Sequence, residues 1–216
     1  MSTEIISDEQ LAGTVKPYQR HVVVLTHRAD WPSYLDQDSG VVGSFYKAVN
    51  APQSRLGDVK VTAATGNSSN SGNDVLVFPD MIRYREVGAD GTDSDVLRII
   101  EEHLLGRKIS KAIENEKLTG RHLFVCIHNA RDIRCGTRGP DIADELESEL
   151  LRGGFDDVVV YRSSHVGGHK FAGCLVSYPS GDWYGRLTPG IISQFVEHCI
   201  ARGCVFDTCW RGRMEQ

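Results

Sequence analysis

The strongest constraint on this chain is a repeat. Arg20-His21-Val-Val-Val-Leu25 is echoed in the second half by Arg121-His122-Leu-Phe-Val-Cys126. Both runs are short and apolar with polar borders, the pattern of a buried strand. After the first run, 40–50 predicts a helix carrying Val41, Val42, Phe45 and Val49, with Pro52 helping to stop it. Strand 59–64 follows, then a hairpin of 75–78 and 82–87 around Pro79-Asp80, then a helix over 95–105 with Asp93, Ser94 and Asp95 at its start. The second run is followed in the same order. A helix over 140–152 has Pro140 in its first turn and ends at Gly153-Gly154. Strand 158–161, a hairpin of 174–178 and 183–187, and a closing helix over 189–201 complete the half. Leu76-Val-Phe-Pro-Asp80 matches Leu175-Val-Ser-Tyr-Pro-Ser180, and Ile99-Ile-Glu-Glu-His103 matches Gln194-Phe-Val-Glu-His198.

Each half therefore reads β-α-β-β-β-α, an α/β order that fits a thioredoxin-like unit, a small mixed sheet flanked by helices. The expected division is a lead-in over 1–19, a first thioredoxin-like half over 20–105, a charged linker over 106–120, a second half over 121–203 and a tail over 204–216. The residues 66–73 form a polar loop of Gly, Ser and Asn. A net charge of −5 gives no basic signature, so neither nucleic acid nor an anionic membrane is an expected partner. No apolar run reaches spanning length. The acidic start, Met1-Ser-Thr-Glu-Ile-Ile-Ser-Asp-Glu9, lacks the features of a signal or transit peptide, so a reducing cytoplasm is expected, with a mitochondrial location if a presequence has been removed. Six cysteines in that setting are not a disulfide framework.

Four metal donors fall on the second copy alone. Cys126 ends its first strand, Cys135 lies before its predicted helix, and His165 and His169 sit between its second and third strands. In the first copy those places hold Leu25, a loop without cysteine and the Gly/Ser/Asn loop. A scaffold that exists without the donors argues that the donors serve a site. Two thiolates and two imidazoles suit zinc or a [2Fe–2S] cluster. Zinc modules pair cysteines more closely than the eight intervening residues here, and a loop that long can wrap a cluster. Gly167 and Gly168 let the backbone turn so that both histidines point one way, and let backbone N–H groups approach anionic sulfides. Four thiolates leave an oxidised [2Fe–2S] core doubly negative, whereas two thiolates and two neutral imidazoles leave it neutral and easier to reduce. A ring N–H that titrates with reduction would couple proton to electron. The helix predicted near Pro140 would point its positive end at the thiolates.

Cys126-x8-Cys135 followed by His165-Val-Gly-Gly-His169 and Lys170-Phe-Ala-Gly173 resembles the sucrase/ferredoxin-like family, and within it the bis-histidinyl thioredoxin-like [2Fe–2S] proteins. Leu11-Ala-Gly-Thr-Val-Lys-Pro-Tyr18, Asp30-Trp-Pro32, Trp183-Tyr-Gly-Arg186 and Trp210-Arg-Gly212 extend the resemblance over nearly the whole chain. It implies that Cys126, Cys135, His165 and His169 hold the iron. Cys174 departs from the pattern, at a place where a polar residue that does not bind metal is expected.

His128 lies between the cysteines but matches His27 of the donor-free copy, so it reads as structural or as a support to the ligands. Lys170, with Gly167 and Gly168, is a further candidate support, and His21 and His122 match each other as scaffold. The expectation is an electron carrier, served by an external reductase and acceptor proteins because no Gly-x-Gly-x-x-Gly dinucleotide motif is present. The alternatives are a structural Cys2His2 zinc module and a thiol–disulfide enzyme, the latter weakened by the lack of any Cys-x-x-Cys.

Overall fold

The computed structural model describes residues 10–56, 58–66, 72–108 and 113–214. Within the first half, β1 (Arg20–Thr26) lies between β2 (Val59–Thr65), to which it is parallel, and β3 (Asn73–Phe78), to which it is antiparallel. β4 (Ile82–Val87) pairs with the far side of β3. α1 (Val41–Asn50) connects β1 to β2, and α2 (Ser94–Ile99) follows β4 and widens into a π-helical turn over Ile100–Leu104. Next comes β5 (Asn115–Lys117), which pairs with β4. The second half repeats the arrangement with β6 (Arg121–Cys126), α3 (Ile133–Gly153), β7 (Val158–Ser163), β8 (Leu175–Tyr178), β9 (Asp182–Tyr184) and α4 (Ile192–Phe195). α4 also widens into a π-helical turn, Val196–Ala201, at the place that matches the first copy. β10 (Trp210–Arg213) pairs with β9. This is the mixed α/β, thioredoxin-like architecture that the repeat predicts.

All ten strands form one sheet in the order β10-β9-β8-β6-β7-β2-β1-β3-β4-β5, which reads alike outward from the β7–β2 seam. Ala64 and Ser163 pair across that seam, and Ser164 seals it by donating its N–H to the Ala63 carbonyl (2.8 Å) while its Oγ accepts from the Ala63 N–H (2.9 Å). The period-2 alternation of each central strand serves two cores. Val22 and Val24 of β1 pack under α1 and α2, and Leu123 and Val125 of β6 pack under α3 and α4. Val23 and Leu25, with Phe124 and Cys126, enter a third core shared by both halves. There Phe78 stacks on Tyr178 at 4.1 Å between ring centroids, although β3 and β8 are far apart in the sheet order. The sheet must therefore curl so that the faces without helices meet. Burying a side chain of that size contributes about 1.5–3 kcal/mol.

A polar chain crosses the shared core without an unpaired group. Trp183 Nε1 donates to Tyr18 Oη, Tyr18 Oη bonds Tyr178 Oη, Tyr178 Oη bonds His21 Nδ1 and His21 Nε2 bonds Thr62 Oγ1, each at 2.8 Å. Burial, then the charge of Lys60, keeps His21 well below the usual imidazole range. His122 bonds Tyr161 Oη at 3.2 Å and the Thr119 carbonyl at 3.1 Å.

Four expectations change. α3 begins at Ile133, seven residues before Pro140, which lies inside it. Asp132 caps it, the carboxylate accepting from the Arg134 N–H at 3.0 Å, so Cys135 belongs to the first turn and not to a loop. Proline breaks a helix by its missing N–H and its ring, but here the helix on either side is held against β6. Gly139 makes that possible: a Cβ there would stand 2.2 Å from the Cys126 carbonyl oxygen. The second hairpin arm is shorter than 183–187, because β9 ends at Tyr184. The stretches 106–120 and 204–216, expected as linker and tail, contribute β5 and β10 to the sheet edges. The lead-in packs from Leu11 onward, with Leu11 and Tyr18 buried and Gly13 N–H donating to the Arg211 carbonyl at 2.9 Å. Expectations for residues 1–9, 67–71, 109–112 and 215–216 fall outside the described residues. No helix among the described residues is long and apolar enough to cross a membrane.

Candidate metal centre

The site forms where β6, α3 and the loop after β7 meet. Cys126 is the last residue of β6 and Cys135 is the third residue of α3; both are buried. Their side chains hydrogen-bond to each other. Cys126 is held well below the usual thiol range, first by the hydrogen bond from Cys135, against burial, then by the His165 ring and the N–H groups of His128 and Val166. Cys135 is raised, because it donates its proton to Cys126 and is itself buried beside that charge. Placement of Cys135 in the first turn of α3 also sets it within reach of the helix's positive end.

The loop after β7 carries the other two donors. The rings of His165 and His169 lie 5.4 Å apart between centroids at 36°. The Nδ1 atom of each is buried and has no hydrogen-bond partner. His169 Nε2 is 3.9 Å from Asp132 Oδ2, with the His169 side chain 44% exposed. The Arg134 side chain holds Asp132 down to about 2, helped by the Arg134 N–H and by charge.

The turn between the histidines depends on glycine. Gly167 and Gly168 have φ of 114° and 77°. A Cβ on Gly168 would stand 2.2 Å from Arg211 Nη2. The buried Arg211 guanidinium secures the loop by donating to the Gly167 carbonyl (3.1 Å) and to Thr14 Oγ1 (3.1 Å). His128 secures the other side: its Nδ1 accepts from the His165 N–H at 3.0 Å, so Nε2 carries the proton and donates to the Trp31 carbonyl at 3.0 Å. Both nitrogens of His128 are engaged in holding the loop. Lys170 is exposed, its Nζ 4.9 Å from the centroid of the Phe171 ring.

Cys174 lies beside the four donors. Its thiol donates toward the carbonyls of Gly168 (3.3 Å) and Phe171 (3.2 Å), and burial pushes it up to about 12. It is a proton-bearing packing residue here. Among the described residues, no three His, Cys, Asp or Glu side chains stand as the ligand set of one metal ion.

Three contributors escaped the sequence reading. Asp132 carried a readable signal, an Asp before a helical run, hidden by the emphasis on Pro140. Arg211 lies in Trp210-Arg-Gly212, noticed as a segment and not as part of the site. Lys60 shares the face of Thr62 and Ala64 on β2, so its inward placement follows from strand alternation. Burial pushes Lys60 down to about 8, with Arg211 and Lys16 acting in the same direction and Cys126 against it.

Fold and site together define a two-copy thioredoxin-like protein with a thiol and imidazole cluster on the second copy. The sucrase/ferredoxin-like family matches residues 11–212, and the chain belongs to that family. Actin patches distal protein 1 of Saccharomyces cerevisiae is 32% identical over 241 aligned positions, covering 91% of this chain and 73% of that protein. Altered inheritance of mitochondria protein 32 of Clavispora lusitaniae is 25% identical, covering 94% of this chain and 84% of that protein. Its namesake from Debaryomyces hansenii is 35% identical over 98 residues, a match spanning only 35% of that relative. A thioredoxin-like [2Fe-2S] ferredoxin from Aquifex aeolicus superposes with a TM-score of 0.41 at 18% identity, covering 45% of this chain and 96% of its own.

Proposed function

We propose that this protein is an electron carrier holding one [2Fe–2S] cluster on Cys126, Cys135, His165 and His169. The observation that carries the reading is the pair of buried Nδ1 atoms without hydrogen-bond partners, on the loop beside the buried thiols of Cys126 and Cys135. Leaving one buried polar atom unpaired costs about 1–3 kcal/mol. Two on one loop, next to soft sulfur donors, have the chemistry of metal ligands. The cluster supplies a one-electron couple.

The chain's own groups prepare the site. The N–H groups of His128 and Val166 and the start of α3 favour the thiolate. His128 and Arg211 fix the loop so that both Nδ1 atoms face inward. With Nδ1 inward, His169 Nε2 faces outward toward Asp132, where it can hold a proton that leaves or arrives with the electron. Reducing equivalents come from a separate reductase and leave to an acceptor protein. The fungal relatives named for inheritance of mitochondria support a mitochondrial setting as the alternative to the cytoplasm.

The low pKa of Cys126 beside Cys135 favours a second reading, thiol–disulfide exchange. Burial of both sulfurs opposes it, since an attacking thiolate needs access. Metal analysis of anaerobically purified protein decides among the readings: about two iron and two acid-labile sulfide per chain are expected. One zinc and no sulfide would sink the proposal. The midpoint potential is expected to vary with pH, and to vary less after His165→Cys or His169→Cys; a flat wild-type profile removes the proton-linked part.

A further inference from the structure

A cavity of about 570 Å³ opens beside the His165–Gly168 loop. That volume is in the range of sites for small molecules, about 300–1,000 Å³. Its wall carries four cationic side chains, Lys16, Lys60, Lys170 and Arg211, and among the described residues no Asp or Glu lines it. Trp183 and Tyr18 supply part of the remaining wall. The concentration of charge runs against the molecule as a whole, which has a net charge of −5.

Two of the four cations are fixed by the fold, while Lys16 and Lys170 are exposed. Lys60 points inward from β2 with its Nζ 5.1 Å from the centroid of the Trp183 ring, and Arg211 is held by Thr14 and the Gly167 carbonyl. Neither Lys60 nor Arg211 has a carboxylate within ion-pair distance among the described residues. Like charges held together in a partly dry cleft repel, and a bound anion would offset that cost.

We propose that this cavity is a binding site for a small molecule carrying a phosphate or diphosphate group. Several cations converging on one concave space suit a compact, multiply charged anion. A flat acidic protein surface or a nucleic-acid strand would need an extended basic face, which an acidic chain does not supply. The site stands on its own residues. Only its position next to His165 rests on the cluster reading, and that position would put the bound molecule beside the electron carrier.

Calorimetric titration with pyrophosphate, in phosphate-free buffer of low ionic strength, tests the assignment. One saturable site per chain is expected, weakening as salt rises. Lys60→Gln should weaken it by at least about tenfold, the exposed Lys16→Gln by a smaller factor, and Lys47→Gln on the outer side of α1 not at all. If Lys60→Gln fails to fold, the Lys16→Gln and Lys47→Gln pair still decides. Absence of saturable binding in the wild-type chain would overturn the proposal, as would unchanged affinity in the lysine variants of the cavity. Poly-glutamate binding as tightly through the same lysines would overturn the small-molecule assignment. Iron and sulfide are measured on the same preparations. Pyrophosphate binding by iron-free protein keeps the cavity and sinks the cluster; full iron without pyrophosphate binding does the reverse.

Discussion

At the scale of single residues, the site and its surroundings are governed by which polar atoms find partners. Tyr178 is the middle of a buried chain from Trp183 to Thr62. Tyr178→Phe keeps the ring that stacks on Phe78 but strands His21 Nδ1 and leaves Tyr18 Oη only its bond from Trp183. The expected loss is about 1–3 kcal/mol, read as a lower urea midpoint with an unchanged slope. Asp132 has two tasks, capping α3 and facing His169. Its folded pKa, about 2, lies below the ordinary 3.8 because of Arg134. Its contribution is therefore complete above the unfolded value and is lost as pH falls from near 4 through 2. Asp132→Ala should remove about 1 kcal/mol at neutral pH, while Asp132→Asn keeps most of the cap. Melting temperatures of the three proteins across that acid range would show the wild-type advantage fading; a constant gap would refute the assignment.

At the scale of elements, α3 decides the geometry of the site. It presents Cys135 in its first turn and lies against β6, which ends in Cys126. Gly139 permits that close approach. Gly139→Ala would drive a methyl group into the Cys126 carbonyl, costing about 1–3 kcal/mol by overpacking. Because the displaced helix carries Cys135, the proposed cluster predicts that iron retained per chain falls as well. Gly190→Ala, where a Cβ would meet nothing within 4 Å, should change stability by less than about 0.5 kcal/mol and leave iron unchanged. Equal effects of the two substitutions on iron would show that α3 does not position Cys135.

At the scale of the whole molecule, the two copies act as each other's cover. Each half hides one sheet face under its own helices and the other against its partner half. Residues 121–214 produced alone would expose Phe124 and Tyr178, which rest on Phe78, His21 and Tyr18 in the intact chain. Dye binding to exposed apolar surface and aggregation on size-exclusion chromatography are expected for that fragment. A monodisperse fragment with a cooperative melt would show that the shared core is dispensable.

The order of elements and the candidate set Cys126, Cys135, His165 and His169 were legible in the sequence, because both are written in local pattern. Short β-branched runs, Pro-centred hairpin turns and the Gly-Gly pair at 167–168 each report on a few neighbouring residues. The repeat then exposed the donors by contrast with a copy that lacks them. Other features were not legible because their causes are distant in sequence. The early start of α3 overrides the local rule for Pro140 through packing on β6. β5 and β10 are too short to show periodicity and exist only because β4 and β9 offer open edges. The union of two half-sheets, the half-buried Lys60 and buried Arg211, and the cavity they line arise when chain segments far apart are pressed together. Sequence by itself determined the units and offered the candidate donor residues. Tertiary structure alone decided which faces meet, which charges are enclosed and which nitrogen atoms are left without partners, since burial and electrostatics depend on neighbours that only folding supplies.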